Sequence, residues 1–171
     1  MTTPIFSTVL YNLPQLPQVY MDEGINSNFN YTESHGKTYA CEAVSFSKTK
    51  FFSLLQEKFG ETKARYLKNP PYSLYDWHTD RLRDCGIHWT VRTNPDASVW
   101  YRSNNRDKLF WDLEKAQYQD HYPSLFDTTA EHSVFNNSDQ ERIILSVTIY
   151  NGRPSYQTLL AFLQSLRIEE Y

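Results

Sequence analysis

Two histidines and one aspartate have the residue types and spacing of metal ligands. His78 and Asp80 form the only His-x-Asp motif in the chain. Side chains two residues apart on a strand point to the same face of a sheet, so this imidazole and this carboxylate would meet one ion. His132, at the start of a later predicted strand, supplies the third ligand. Two histidines and one carboxylate leave three adjacent coordination positions open, which suits iron(II) better than a closed structural zinc site.

Arg142 adds weight to this set of ligands. The motif alone is weak, because five histidines produce His-x-Asp by chance in roughly one chain of this kind in four at average composition. Arg142 follows His132 by ten residues, on the next predicted strand, where a hairpin would turn it back into the same interior. A buried guanidinium requires an anion. The sequence therefore predicts an anion-binding group beside the metal.

Two further residues leave alternatives open. Ser146 has the same strand parity as Arg142 and would donate a second hydrogen bond to the same carboxylate, although an ordinary strand serine explains it equally well. His121 is an alternative third ligand. If His121 binds the metal in place of His132, the spacing of Arg142 is a coincidence.

Short aromatic and β-branched runs separated by turn residues predict the elements that hold these side chains. The predicted strands are Ala64–Lys68, Tyr72–Trp77, Cys85–Val91, Ser98–Arg102, Lys108–Glu114, Ser124–Asp127, His132–Phe135 and Arg142–Tyr150. Eight strands at this spacing are typical of a jelly roll, so we expect a mainly β fold, a double-stranded β-helix with flanking helices.

Helical spacing of apolar residues predicts two helices. The first begins after Ser47, which can cap it, and ends at Gly60. The second spans 155–168. Residues 1–40 mix prolines with polar and aromatic residues and predict loops with short extended pieces. The length suits one domain, which we divide into an N-terminal lid and support helix (1–70), a β-helix core (71–150) and the C-terminal helix.

Composition excludes several classes of function. The net charge of −3 gives no strong nucleic-acid signal. Two cysteines are too few for a disulfide scaffold. The sequence has neither a leader pattern nor a long apolar run, so we expect a cytoplasmic protein without a membrane span.

The residues from Leu125 to Leu145, which include Glu131-His132-Ser133 and Arg142, resemble the distal metal and co-substrate segment of one oxygenase superfamily. These are the iron(II)- and 2-oxoglutarate-dependent oxygenases, with their prolyl-hydroxylase-like and aspartyl/asparaginyl β-hydroxylase-like members. The resemblance covers roughly 72–150. It implies a double-stranded β-helix, iron(II) held by His78, Asp80 and His132, 2-oxoglutarate chelating the metal, and Arg142 gripping its far carboxylate. It also admits ascorbate as an additional cofactor.

Details of the resemblance concern the remaining candidates. A carboxylate at Asp80 is similar to the prolyl-hydroxylase branch, whereas the aspartyl β-hydroxylases lack one at this position. The run from Arg81 to Trp89 resembles a strand that faces the co-substrate in related enzymes, which implies that Arg83 or His88 assists there. Tyr75 matches a pocket tyrosine of prolyl hydroxylases, although strict strand alternation would turn it away from the metal.

The function implied is hydroxylation of an unactivated C–H bond with dioxygen and 2-oxoglutarate, releasing succinate and CO2. The expected substrate is a prolyl, aspartyl or asparaginyl residue of a protein or peptide, and a small molecule or nucleobase remains open. One alternative is a cupin-like metal enzyme that does not use 2-oxoglutarate, which would have Arg142 pointing at a surface partner. The other is a non-catalytic jelly-roll binding domain.

Overall fold

The computed structural model describes residues 5–33, 37–92, 94, 96–104 and 111–171. Within these residues the chain is mainly β. The strands are β1 (Ser7–Val9), β2 (Asn30–Glu33), β3 (Lys37–Glu42), β4 (Thr62–Asn69), β5 (Ser73–His78), β6 (Cys85–Arg92), β7 (Ala97–Asn104), β8 (Trp111–Lys115), β9 (Ser124–Asp127), β10 (His132–Asn136) and β11 (Arg142–Ile149). The helices are α1 (Gln18–Asn26), α2 (Lys50–Phe59) and α3 (Tyr156–Ser165).

The strands form two antiparallel sheets. The larger sheet has the order β1-β9-β6-β11-β4-β3-β2, and the smaller has the order β5-β10-β7-β8. Consecutive strands alternate between the sheets from β4 to β7, as in a jelly roll. The predicted double-stranded β-helix is therefore confirmed.

All eight predicted strands are present, with ends that differ by a few residues. The strand predicted at Lys108–Glu114 begins at Trp111 among the described residues, and 105–110 lie outside them. One prediction about connections was wrong. β10 and β11 do not pair as a hairpin, because β10 pairs with β5 and β7 while β11 pairs with β4 and β6 of the other sheet.

The N-terminal region contains more regular structure than predicted. β1, β2 and β3 extend the larger sheet at both of its edges. Helix α1 was not predicted, because it follows Pro17 without a side-chain cap and contains a glycine. Gly24 has a packing role. A Cβ at this position would lie 2.7 Å from the Tyr66 ring, so only glycine lets α1 approach the sheet this closely.

The helices pack against the larger sheet. Helix α2 is capped by Thr49, whose hydroxyl accepts from the Phe52 amide at 3.2 Å. The predicted cap, Ser47, instead lies in a 3-10 turn that precedes the helix. Helix α3 is capped by Ser155 and buries Leu159 and Leu163. None of the helices in the described part of the chain is long and apolar enough to cross a membrane.

Two apolar clusters fill the interior. The larger lies between the helices and the larger sheet and includes Phe51, Trp89 and Leu145, each fully buried. The smaller lies between the two sheets and consists of Val99, Tyr101, Ala116 and Phe126. The smaller cluster forms one wall of the cavity described next.

Candidate metal centre

His78, Asp80 and His132 converge at one end of the smaller sheet. His78 is the last residue of β5, His132 is the first of β10, and the two pair directly across the ladder. Both histidines are buried, and one potential ligand atom from each of the three residues lies within 4.8 Å of the others. Among the described residues, this is the one group of at least three such side chains that could hold a metal ion.

The backbone orients both imidazoles. Nδ1 of His78 lies 2.6 Å from the carbonyl oxygen of Asp76, and Nδ1 of His132 lies 2.9 Å from that of Ala130. When Nδ1 donates to a carbonyl, Nε2 carries the lone pair that a metal requires. Burial lowers the pKa of His132, which favours the neutral form that binds metals.

Asp80 reaches the site from a loop, which differs from the sequence prediction. β5 ends at His78, so strand alternation does not place Asp80. Its amide instead donates to the carbonyl oxygen of Thr128 at 3.0 Å. Its Oδ1 lies 3.7 Å from His78 Nε2, and its Oδ2 accepts from Arg83 Nε at 2.6 Å. One carboxylate oxygen therefore remains directed at the histidines.

Arg83 holds Asp80 in its charged form. Burial raises the pKa of Asp80, but the charge and hydrogen bond of Arg83 lower it below its usual value. Arg83 is itself fixed to β11, where Nη1 donates to Thr148 Oγ1 at 2.7 Å and to Ser146 Oγ at 3.3 Å. Arg83 therefore contacts a candidate ligand, and its predicted assistance towards the co-substrate stays a prediction.

A cavity of about 90 Å³ extends from the three candidate ligands into the space between the sheets. A water needs on the order of 10–15 Å³ measured in this way, so the cavity has room for a small molecule. Apolar walls come from both sheets and include Val99, Phe126, Val134 and Ile144.

Arg142 lines this cavity from the larger sheet and is 6% exposed. Its Nη1 donates to Asn69 Oδ1 at 3.0 Å, and its Nη2 donates to the Tyr118 hydroxyl at 2.7 Å. Among the described residues no carboxylate forms an ion pair with Arg142. The guanidinium faces the interior, as predicted. It does so from the larger sheet, because the chain passes from the smaller sheet to the larger one between β10 and β11.

Sequence reasoning missed both partners of Arg142. Asn69 is its direct neighbour on β4, so correct pairing of β4 with β11 would have found it. Tyr118 lies in the loop after β8 and carries no recognisable signal. Together these two side chains hold the guanidinium towards the cavity.

Tyr75 lines the cavity, contrary to strict alternation. Its ring lies 4.4 Å from that of His78 in an edge-to-face arrangement. The reason is a register shift: His132 pairs with His78 and Val134 pairs with Tyr75, so β5 holds one extra residue between these pairs. Such a bulge reverses the parity of the strand. Tyr75 is therefore on the side that the family resemblance implied.

His88 also lines the cavity, and neither of its ring nitrogens has a hydrogen-bond partner in the described part of the chain. Burial, together with the charges of Arg83 and Arg142, holds the pKa of His88 well below its usual value. A Cβ on Gly86 would lie 2.9 Å from His88 Nε2 and 3.2 Å from Arg83 Nη1, so this glycine makes room for both side chains. Unpartnered nitrogens in a cavity wall suit contact with a polar ligand.

The remaining candidates lie elsewhere. Ser146 accepts a hydrogen bond from Arg83 and is not part of the cavity lining, so its action beside Arg142 on one carboxylate stays a prediction. His121, the alternative ligand, lies beside Thr90 and outside the ligand group. Tyr101 on β7 also lines the cavity, and its buried hydroxyl has no partner among the described residues.

Comparisons with known proteins agree with this geometry. A family model described as aspartyl/asparaginyl beta-hydroxylase matches residues 103–152, which include His132 and Arg142. No curated protein matches the chain by sequence. A prolyl-4-hydroxylase from Pseudomonas putida superposes with a TM-score of 0.59 at 12% identity, covering 85% of this chain and 91% of that one.

Two other solved structures have a similar fold. A 2OG-Fe(II) oxygenase family protein from Burkholderia pseudomallei gives a TM-score of 0.57 at 10% identity, covering 78% of this chain and 79% of that one. The non-heme alpha ketoglutarate dependent epimerase SnoN from nogalamycin biosynthesis gives 0.54 at 11% identity, covering 90% and 78%. The fold is therefore that of these oxygenases. The predicted resemblance is confirmed by the hydroxylase model matched over residues 103–152 and by this shared fold.

Proposed function

We propose that this chain is an iron(II)- and 2-oxoglutarate-dependent dioxygenase that hydroxylates an unactivated C–H bond and releases succinate and CO2. The observation that carries the proposal is Arg142. It is a buried cation without an ion-paired carboxylate in the described part of the chain, and it faces a cavity that has a candidate metal centre at its other wall. A small molecule with two anionic ends would join the metal to this guanidinium.

The metal would be held by His78, Asp80 and His132. Two imidazoles and one carboxylate on one side of an ion leave three adjacent positions for other ligands. When bound, iron and 2-oxoglutarate together supply the oxidising chemistry that protein side chains lack. The chain contributes the orientation of its ligands: backbone carbonyls fix both imidazoles, and Arg83 fixes the carboxylate.

The chain would also bind and enclose the co-substrate. Arg142 presents two nitrogens to a carboxylate, which favours a bidentate pair. The Tyr118 hydroxyl, which accepts from Arg142, is able to donate its own proton to the same anion. Arg83 and Arg142 outnumber the single charge of Asp80, so the cavity attracts a dianion even before a metal binds. Apolar walls keep water from the reacting atoms.

The direction of Arg142 bears on the cupin-like alternative. In a cupin-like enzyme without 2-oxoglutarate, Arg142 would be expected to pair with a surface partner. Arg142 instead bonds Asn69 and Tyr118 in the interior. This contact favours 2-oxoglutarate. The binding-domain alternative is distinguished by substitution, since it tolerates alanine at all three candidate ligands.

The proposed substrate is a prolyl, aspartyl or asparaginyl residue of a protein or peptide. Support comes from the matched hydroxylase model and from the fold shared with a prolyl-4-hydroxylase. A substrate of this class would place the reacting side chain at the cavity and leave the rest of its chain outside. Both cysteines are free, in keeping with a reducing cytoplasm, where ascorbate would keep the iron reduced.

Succinate formation tests this function. Purified protein is incubated in air with Fe(II), ascorbate and 2-oxoglutarate, first alone and then with pooled peptides that contain proline, aspartate or asparagine. We expect the wild type to form succinate and to form more of it with the pool that contains the correct substrate. The peptide product should be heavier by the mass of one oxygen atom. Asp80→Ala should form none, whereas His121→Asn should act as the wild type. A protein that binds metal but neither forms succinate nor binds 2-oxoglutarate would favour the cupin-like alternative.

A further inference from the structure

A cluster on the outer face of the smaller sheet lies directly behind the candidate metal centre. We define the outer clamp as Trp77, Arg102 and Glu131. Arg102 Nε donates to Glu131 Oε2 at 2.6 Å, and Nη2 donates to the other oxygen of the same carboxylate. The guanidinium lies 4.7 Å from the centre of the Trp77 ring. The Arg102 amide also donates to the Glu131 carbonyl oxygen at 3.0 Å.

The members of the outer clamp are the chain neighbours of both histidines. Trp77 precedes His78, and Glu131 precedes His132. Arg102 follows Tyr101, which pairs with His132 across the ladder between β7 and β10. One guanidinium therefore contacts the residue beside each imidazole, from the face opposite the metal.

The ladder between β5 and β10 is irregular beside the candidate ligands. It shifts register between His132 and Val134, and His132 pairs with His78 beyond the shift. A bulge frees a strand to bend and twist locally. Side-chain contacts around the bulge therefore help to set the orientation of the two imidazoles, whose centres lie 4.3 Å apart.

The clamp has the properties of a geometric constraint. The side chains of Arg102 and Glu131 are 26% and 31% exposed, so the pair is partly screened from water. Partly exposed ion pairs add little to global stability, but a bidentate pair fixes orientation. Its loss should change local geometry more than it changes unfolding.

We infer that Arg102 is a positioning residue, which sets the separation and orientation of His78 and His132 through Trp77 and Glu131. The inference rests on the proposed function, because it needs these histidines to bind a metal. It predicts that removal of Arg102 weakens metal binding and alters the coordination geometry without touching a ligand.

Cobalt(II) titration of the full chain tests this inference, because cobalt reports both affinity and geometry in its visible spectrum. The variants are Arg102→Gln, Arg102→Lys and Glu131→Gln. The control is Arg65→Gln, which removes the Arg65–Glu42 pair on the larger sheet, with Nε and Oε1 3.3 Å apart. Outer contacts of a metal site are worth roughly 10–100-fold in affinity. We expect a loss of this size in Arg102→Gln with an altered spectrum, a smaller loss in Arg102→Lys, and no change in Arg65→Gln.

Thermal unfolding of the metal-free variants accompanies the titration. Arg102→Gln and Arg65→Gln should have similar midpoints, which separates positioning from general destabilisation. Cobalt affinity and spectrum unchanged in Arg102→Gln would overturn the inference while leaving the proposed function intact, and so would an equal loss in Arg65→Gln. If Arg102→Gln does not fold, Glu131→Gln decides by the same criteria. A wild-type chain that binds no cobalt would overturn both proposals.

Discussion

The two sheets differ in what covers them and in the ladders that hold the site residues. β4 and β11 of the larger sheet pair without a register shift from Arg142 to Ile149, although the ladder between β11 and β6 shifts between Ile143 and Ile144. β5 and β10 of the smaller sheet shift register beside His132. Every residue of β11 is buried, and helices α1, α2 and α3 all contact the larger sheet. The larger sheet therefore supplies most of the core and the anchor Arg142, and the smaller sheet supplies the metal ligands at its end.

This division of roles has a physical reason. A buried guanidinium must be held rigidly and desolvated, which a continuous ladder achieves. Three ligands from a strand end, a loop and a strand start must converge on one point, which a flat, regular ladder would not allow. Substitutions in the two regions should therefore affect different measurements.

The largest expected effect is the loss of metal binding in His132→Ala. Removing one of three protein ligands should abolish detectable Fe(II) binding in anaerobic calorimetry. Because His132 lies at a strand start in the smaller sheet, away from the main core, the metal-free variant should remain folded by circular dichroism. His121→Asn is the control, since asparagine tolerates the positive φ of 63° at that position. Unchanged binding in His132→Ala, or loss in the control, would identify a different third ligand.

The free energy of unfolding should depend mainly on the larger sheet, in contrast to metal binding. Leu145→Ala in the middle of β11 creates a cavity in the main core and should lower the free energy of unfolding by about 2–5 kcal/mol. Leu74→Ala on β5, where the side chain is 51% exposed, should change it by about 0.5 kcal/mol or less. Urea unfolding of both variants checks this. Equal losses would contradict the assignment of the core to the larger sheet.

Arg83 links the two regions, because it joins Asp80 to β11. Arg83→Met keeps much of the side-chain volume but removes the hydrogen bond and charge that hold the Asp80 carboxylate. Affinity for Fe(II) should fall roughly 10–100-fold. Arg153→Met breaks the exposed ion pair with Asp84, one residue away from Arg83, and should leave the affinity unchanged. A loss of the same size in Arg153→Met would mean that any disturbance of this loop weakens Fe(II) binding, and not the loss of the Arg83–Asp80 contact in particular.

The pH dependence of the free energy of unfolding should reflect the protonation of His88 in the cavity wall. His88 has a folded-state pKa well below its ordinary value of 6.5, so below pH 6.5 the unfolded chain binds more protons than the folded one. The contribution of His88 to the stability of the metal-free protein is therefore fully present above pH 6.5. It is lost as the pH falls towards the folded-state pKa. His132 acts in the same direction.

His88→Leu isolates one of these contributions. Each group contributes a slope of up to about 1.4 kcal/mol per pH unit, so the variant should lose stability less steeply than the wild type between pH 6.5 and 5. Urea unfolding in the presence of a chelator measures both slopes. Identical slopes would mean that His88 titrates normally.

Much of this arrangement was predictable from local sequence. Alternating and β-branched runs found all eight strands of the β-helix core, and the His-x-Asp motif with His132 and Arg142 found the candidate ligands and the anchor. These signals are carried by neighbours in sequence. They also led us to expect Arg142 in the interior, although the hairpin on which that expectation rested does not form.

What was missed depends on contacts between distant segments. Asn69 and Tyr118 became partners of Arg142 only through pairing of strands and through a loop. The bulge that places Tyr75 at the cavity arises from the pairing of two strands, and the sequence of neither strand alone indicates it. Asp80 reaches the site through a backbone bond to Thr128, not through strand geometry. Helix α1 depends on the close approach of Gly24 to Tyr66, which is a tertiary contact.

The most direct test of the central claim is anaerobic titration of Fe(II) and 2-oxoglutarate into the protein, read by the visible charge-transfer band of a chelated keto acid. The band should appear in the wild type and in Arg65→Gln, whose side chain pairs with Glu42 on the larger sheet. In Arg142→Gln it should require about 10-fold or more 2-oxoglutarate, because the bidentate charged partner is gone, while Fe(II) affinity stays the same. A protein that binds Fe(II) without forming the band, or an unchanged titration in Arg142→Gln, would contradict the account.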